Sequence, residues 1–266
     1  MFSESAKHTH ILENLEIAIP TYQRSKTLWK HTLSILPEEL LSKVVIYLQE
    51  NDDTRYDYVD EEKGRYAGCS YIVLHDVTNI AQKRNMIKQN TDKKYLLMID
   101  DDIRALVGMD GINLSPERVK QTILAGFEMC EESKAKLWGV NPYSNSFYFK
   151  NNVSETLKFI CGGFHGTIMD KPPVLCELNT LEDYYNTLEH FVRDGAVLRL
   201  NNIGIRTTLF TNKGGLQSVY SAEERQKQEF DDATKIVDIF GEKMVRKHTK
   251  KRGIDLRLNH HYKNPQ

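Results

Sequence analysis

Apolar positions along the chain fall into short continuous runs separated by segments with helical spacing. Leu15-Glu-Ile-Ala-Ile19, Lys43-Val-Val-Ile-Tyr-Leu48, Tyr71-Ile-Val-Leu74 and Tyr95-Leu-Leu-Met-Ile99 are too short for helices with a full apolar face, so they read as buried strands. Between them lie helical patterns. One is capped by Ser25 and turns Leu28, Trp29, Thr32 and Leu33 inward; another spans Asn79 to Asn90. Strand alternating with helix predicts a parallel, Rossmann-like sheet.

The second half of the chain has a different rhythm. Ser115-Pro116-Glu117 starts a helix running to about Lys134, with proline tolerated at the first position because its missing N–H has no partner there anyway. Short aromatic pieces at Leu137–Val140, Phe147–Phe149 and Phe159–Met169 predict antiparallel strands added to the parallel half. Apolar residues at 181, 184, 185, 188, 191 and 192 predict a helix beginning at Glu182 and closed by Asp194-Gly195. Strands around Val197–Leu200 and Ile205–Leu209 follow, then the Gly214-Gly215 segment. A last amphipathic helix carries Phe230, Ala233, Val237 and Phe240. The fold class is therefore α/β, a mixed sheet flanked by helices.

Composition adds little to this picture, but charge distribution adds something. With 40% hydrophobic and 27% charged residues and a formal net charge of -1, the 266 residues describe an ordinary globular protein whose overall charge names no partner. The segment from Lys243 onward is different: eight Lys or Arg face the single acid Asp255. Such a one-sided stretch can clamp a diphosphate or lie along a nucleic-acid backbone. The first ten residues have no apolar signal core, and no run approaches a membrane span of about 18 residues, so a soluble, cytoplasmic protein with no membrane partner is expected. Cys69, Cys130, Cys161 and Cys176 lie far apart without a Cys-x-x-Cys pair, which argues against a zinc site or a disulfide framework.

The candidate chemistry gathers at Asp100-Asp101-Asp102, where an apolar strand runs into three consecutive carboxylates. Ligands of open α/β sheets bind beyond the carboxyl ends of strands, and clustered acids repel unless a cation neutralises them. An extended backbone sends Asp100 and Asp102 to one side and Asp101 to the other, making Asp101 the acid expected to tolerate change best. Hard oxygen donors suit Mn²⁺ or Mg²⁺ bound jointly with a diphosphate. Gly162, Gly163 and Gly166 permit either close backbone approach to a ligand or a bulge. Glu182 and Asp183 open a helix, where acids also favour the dipole.

These residues resemble a known family. Ile19-Pro20-Thr21-Tyr22-Gln23-Arg24 is similar to the opening motif of glycosyltransferases with the GT-A fold, Gln82-Lys83-Arg84-Asn85 to their Arg-Asn segment, and Asp100-Asp101-Asp102 to their DxD motif. Leu181-Glu182-Asp183 resembles the later acidic motif of inverting members. More narrowly, the aspartate run, Gly162-Gly163, Glu182-Asp183 and Gly214-Gly215 resemble the TET-associated glycosyltransferases, a phage-encoded group implicated in decorating hydroxymethylated pyrimidines in DNA.

The resemblance implies a GT-A domain over 1–242, with a nucleotide-binding half at 1–105 and an acceptor half at 106–242, followed by a basic tail at 243–266. It implies that Pro20, Thr21, Tyr22 and Arg24 line the nucleotide pocket, with Asp52 or Asp53 approaching the base. Arg84 and Asp101 would stand beside the donor, Asp100 near the ribose or sugar, and Asp102 on Mn²⁺ or Mg²⁺. His248 is the first candidate for a histidine ligand to that metal, ahead of His260 and His261. Asp183, supported by Glu182, would be the general base. The partners implied are a nucleotide-sugar donor, UDP-linked by expectation, and a DNA acceptor whose modified base is flipped or exposed. Competing readings are a transferase acting on a polysaccharide or glycoconjugate, a nucleotidyltransferase, and a non-catalytic DNA-binding protein. Nothing in the sequence fixes the sugar or the oligomeric state.

Overall fold

The computed structural model describes residues 4–54, 57, 68–207, 222–250 and 253–264; Leu209, Gly214, Gly215, Lys251 and Arg252 lie outside the described residues. The chain begins with helix α1 (Glu4–Glu13), which its polar spacing had not announced, and enters β1 (Leu15–Pro20). Helix α2 (Ser25–Lys30), β2 (Val44–Gln49), β3 (Ser70–Leu74), α3 (Ile80–Asn90) and β4 (Tyr95–Ile99) follow in the expected order. Then come β5 (Ile103–Val107), α4 (Pro116–Glu132), β6 (Leu137–Asn141), β7 (Val153–Ser154), β8 (Phe164–Ile168), α5 (Glu182–Asp194), β9 (Leu198–Thr207) and α6 (Ala222–Phe240). A hairpin of β10 (Val245–Lys250) and β11 (Gly253–Leu258) closes the described chain.

The central sheet has the order β3-β2-β1-β4-β8-β6-β9-β5, with β7 on β9. Strands β3, β2, β1 and β4 are parallel, and β8 joins β4 antiparallel. β1 and β4 are buried throughout; β4 is an unbroken apolar run, and the one acid of β1, Glu16, is satisfied by the Tyr47 and Thr91 hydroxyls, each donating at 2.8 Å. The carboxyl ends of β1, β2 and β4 therefore open on one edge, and Thr21, Asp52 and Asp100 to Asp102 follow them there. The aspartates are not the extended end of a strand. They form the turn between β4 and β5, and Thr32 fastens it: its hydroxyl donates to the Asp100 carbonyl at 2.7 Å and accepts from the Ile103 amide at 3.0 Å.

Several expectations are corrected. Phe147–Phe149 is not a strand: Ser146–Tyr148 is a 3-10 turn held by the Asn145 side chain on the Phe147 amide, and among the described residues no strand covers the exposed Phe147 and Tyr148. Ile103–Val107, unassigned from the sequence, is a strand paired with β9. The two strands expected around 197–209 are one continuous strand. Its polar Asn201 is buried, and its amide donates to Asn152 Oδ1 and Ser154 Oγ, so the apparent break is satisfied internally. The basic C-terminal segment is not a loose tail, because Met244, Val245, Leu256 and Leu258 are buried with Ala233 and Ile236 of α6.

Two small residues decide the centre of the core. Trp138 of β6 packs edge-on against Phe127 of α4 and Phe164 of β8, and Phe127 in turn against Tyr95. The indole lies so close to Gly126 and Gly166 that a Cβ on either would fall 2.4 Å or 2.1 Å from it. Gly166→Ala is expected to cost about 1–3 kcal/mol through overpacking. Urea unfolding checks this, and an unchanged midpoint would show that Trp138 can move aside.

Candidate functional site

Helix α3 carries Arg84 into the middle of the site. Its guanidinium is buried, with 8% of the side chain exposed, and Nη2 donates to Asp100 Oδ1 at 2.8 Å and to the Gly162 carbonyl at 3.1 Å. Nη1 donates to Glu182 Oε1 at 2.5 Å. One arginine thus ties the end of β4 to the start of α5. Burial by itself lowers its pKa, but the carboxylates of Asp100, Glu182 and Asp183 more than offset this and hold it above the ordinary value. The approach needs glycine at 162, since a Cβ there would sit 2.0 Å from Arg84 Nη1. The glycine-rich segment accommodates a protein cation.

Asp183 stands beside this network on the first turn of α5. Burial, then the Glu182 carboxylate, pushes its pKa up to about 7, against the opposing pull of Arg84. The backbone enters the helix through Leu181, whose φ of 58° is left-handed and strained for a branched residue by roughly 1–3 kcal/mol. Behind the pair lies a small cavity lined by Arg84, Lys88, His165, Glu182, Asp183 and Asn186 among others. Lys88, buried, donates to the Val174 carbonyl and to Asn186 Oδ1, each at 2.8 Å; burial, reinforced by Arg84, lowers its pKa to about 7. Burial holds His165 well below its usual value, so it is neutral, and its Nδ1–H donates to the Gly162 carbonyl at 3.1 Å.

The other aspartates divide differently from the strand-alternation expectation. Asp101 is buried, accepts from Thr21 Oγ1 at 2.8 Å and from Arg24 Nη1 at 3.0 Å, and its pKa is raised chiefly by burial. It is the structural anchor of the turn, not its most replaceable acid, and its carboxylate faces protein donors. Asp102 lies on the Arg24 side as well, 3.7 Å from Nη1, because the turn breaks the two-fold alternation. Asp100 is 37% exposed and Asp102 18% by side chain, so both retain access to solvent. Buried Lys83 donates to the Thr21 carbonyl; burial lowers its pKa to about 8 despite Asp101 and Asp52 nearby.

Pro20 ends β1, and Tyr22 is half-buried with its hydroxyl accepting from Gln23 Nε2 at 3.4 Å. Asp52 is buried and accepts from the Gln23 amide and from the Thr54 amide and hydroxyl, each at 2.8 Å. It braces Gln23, whose φ is 55°, while Asp53 is exposed. Asp100, Asp101, Asp102, Arg24, Arg84, Glu182 and Asp183 are thus brought together at the sheet edge. His248 is not: it is exposed on β10 opposite Asp255, and among the described residues no group of three or more His, Cys, Asp or Glu forms a metal shell. The two exposed carboxylates still suit a hard cation, since Mg²⁺ or Mn²⁺ takes one or two protein carboxylates and completes its shell with phosphate and water. Lys88 was missed, although it lies one helical turn from Arg84 on the face carrying Ala81.

No protein-family model matches the sequence, and no curated protein matches it either. Solved structures do. A fragment of S. aureus TarS in complex with UDP-GlcNAc has a TM-score of 0.56 at 15% identity, covering 84% of this chain and 66% of that one. The mannosyltransferase PcManGT from Pyrobaculum calidifontis, in complex with GDP-Man and Mn²⁺, has a TM-score of 0.55 at 9% identity, covering 85% and 64%. Glucosyl-3-phosphoglycerate synthase from Mycobacterium tuberculosis, in complex with Mn²⁺, UDP and glucosyl-3-phosphoglycerate, has a TM-score of 0.53 at 10% identity, covering 97% and 91%. The chain has the GT-A fold of these glycosyltransferases, and spans under two thirds of the TarS fragment and of the mannosyltransferase. No helix among the described residues is long and apolar enough to cross a membrane.

Two outcomes follow from this geometry. Arg84→Met leaves three carboxylates without their buried cation and is expected to cost about 3–5 kcal/mol in urea unfolding at pH 7; a loss below 1 kcal/mol would contradict the network. Asp183 has a folded pKa above its unfolded value, so its contribution is fully present below about pH 4 and is lost as pH rises through about 7. Asp183→Asn is therefore expected to raise Tm more at pH 8 than at pH 5, by about 2 °C or more, in calorimetry.

Proposed function

We propose that the protein is a metal-dependent, inverting glycosyltransferase that moves a sugar from a nucleoside-diphosphate sugar, UDP-linked by preference, to a hydroxymethylated base in DNA. The observation that carries the reading is the pairing of a raised-pKa carboxylate, Asp183, with the Arg84-clamped Asp100 at the carboxyl edge of a GT-A sheet. The structural neighbours add weight to the donor: they hold UDP or GDP sugars or nucleotides, and two of them Mn²⁺. The resemblance to the TET-associated group supports the acceptor.

In this reading the Asp183 carboxylate removes the proton from the acceptor hydroxyl as its oxygen attacks the anomeric carbon. The bond from that carbon to the diphosphate oxygen breaks on the opposite face, the configuration inverts, and the proton remains on Asp183. A carboxyl with a pKa near 7 is well matched to this exchange at neutral pH. Glu182 positions Arg84 and raises the Asp183 pKa, acting through those neighbours. A bound Mn²⁺ or Mg²⁺ supplies charge neutralisation for the departing diphosphate. Asp102, with the free oxygen of Asp100, would hold it, while Thr21, Tyr22, Arg24 and Asp52 shape the nucleotide side. Asp101 contributes by fixing the turn, and His248 is not required.

The test uses purified protein with UDP-sugars, Mn²⁺ and duplex DNA containing 5-hydroxymethylcytosine. Sugar transfer to the DNA is expected, with kcat/KM falling as pH drops below about 7 as Asp183 takes up its proton. Asp183→Asn is expected to lower kcat by at least about 100-fold while retaining donor binding; Asp102→Asn is expected to abolish the Mn²⁺-dependent thermal shift by UDP. Transfer to a saccharide with none to DNA would replace the acceptor, and full activity in Asp183→Asn would overturn the mechanism.

A further inference from the structure

Next to the candidate base lies a group of cations that the proposed chemistry does not use. Tyr184, the residue after Asp183, stacks on Phe159 with centroids 4.2 Å apart, and the Phe159 carbonyl accepts from Arg199 Nη1 at 3.4 Å. Arg199 is half-buried on β9, its Nε donating to Asn201 Oδ1 at 2.9 Å. Around it are Lys158, Lys150 and His260, the last bonded through its ring to the Leu157 carbonyl at 2.8 Å. Among the described residues no carboxylate forms an ion pair with any of these four side chains.

This is an unusual arrangement. Burial and then Arg199 and Lys150 depress the Lys158 pKa, and burial, Lys158 and Arg199 depress that of His260. Burial likewise lowers Arg199. Like charges held together without a counter-charge cost stability, which an anionic ligand would restore. Elsewhere Lys94 meets Glu131, Lys136 meets Asp170 and Lys171 meets Asp194, while the buried Lys83 and Lys88 are held by carbonyl and amide oxygens.

Aromatic rings border the cluster. Tyr143 is 62% exposed and lies close enough to Arg199 and Tyr184 to affect both electrostatically. Phe147 and Tyr148, at 84% and 64% exposure, extend the apolar surface along the same loop. Cations interleaved with exposed rings are the means by which proteins hold unpaired nucleic acid, the cations on phosphates and the rings on bases.

We propose that Arg199, Lys158 and Lys150, with Tyr143 beside them, form the seat of an unpaired nucleic-acid strand, its phosphodiesters on the cations and a base on the tyrosine. The seat deepens the acceptor side of the function proposed above and rests on it for the role of Asp183. The seat borders the Tyr184–Phe159 stack, and Tyr184 follows Asp183, the group that would deprotonate the acceptor hydroxyl. A displaced or single strand would be preferred over an intact duplex.

Fluorescence anisotropy without donor or metal tests the seat independently of transfer. A labelled oligothymidylate of about 12 nucleotides at about 50 mM salt is expected to bind the wild type. The double variant Arg199→Gln/Lys158→Gln is expected to bind at least about tenfold more weakly, with the salt dependence reduced by about 1.4 in log–log slope. Tyr143→Ala, a change at an exposed ring that spares folding, is expected to weaken binding about 5- to 100-fold. A melting temperature no lower than that of the wild type qualifies each variant, and the exposed Lys150→Gln substitutes for the double variant if that fails to fold. No binding by wild type, binding unaffected by the substitutions, tighter binding of duplex, or equal competition by base-free polyphosphate would each overturn the proposal. Binding with no transfer under any condition would leave the seat standing and remove the function proposed for Asp183.

Discussion

The structure depends on one buried cation. Arg84 reaches across from α3 to join Asp100 at the end of β4, Glu182 at the start of α5 and the Gly162 carbonyl before β8. A guanidinium this buried needs counter-charge beside it; both Nη groups are matched while Nε is buried without a partner among the described residues, and a planar fork suits two carboxylates and a carbonyl where a lysine would not. The same contact sets the geometry and the electrostatics of the site. Glu182 and Asp183 are consecutive residues on one helical turn, and the raised pKa of Asp183 follows from burial and that neighbour, against the pull of Arg84.

Around this clamp the protein builds a second layer that fixes the turn of aspartates. Thr21 and Arg24 hold Asp101, Thr32 fastens the turn from its other side, and Lys83 secures the Thr21 carbonyl. Three consecutive acids are then accommodated by giving each a different environment: Asp101 sealed inside, Asp100 shared between Arg84 and solvent, and Asp102 partly buried beside Arg24. Asn85 plays a similar part away from the acids, its side chain bracketing the Cys176 backbone with bonds of 2.7 Å and 2.9 Å. Helix α3 thus organises the segment leading to α5 as well as the site itself.

Much of this was legible because the parallel half obeys simple rules. β1, β2 and β4 are largely apolar runs ended by polar residues, and a parallel sheet buries such runs on both faces, so the parallel pairing and the edge where the acids gather followed directly; β3, at the edge, is mostly exposed. The orientation of the acids did not follow, since a turn at Asp100 cancels strand alternation and nothing local announces a turn held by Thr32 from a distant helix. The strand Ile103–Val107 was hidden for a related reason: an antiparallel partner 100 residues downstream, not its own pattern, makes it a strand. Phe147 and Tyr148 misled in the opposite sense, because aromatic content suggested burial where the rings are exposed. Nothing in the local pattern marks Lys83 and Lys88 as buried, and it is the packing of α3 against α5 and β1 that turns them inward.

The central claim is that the Asp100–Asp102 edge, clamped by Arg84, receives a metal-bound nucleoside diphosphate facing Asp183. Anomalous scattering from crystals soaked with UDP and Mn²⁺ tests it most directly. The account predicts a manganese peak beside the Asp102 and Asp100 carboxylates together with the bound nucleotide, with Arg84 still on Asp100 and Glu182. A diphosphate bound at another face of the sheet, or a manganese site that excludes Asp100 and Asp102, would contradict it.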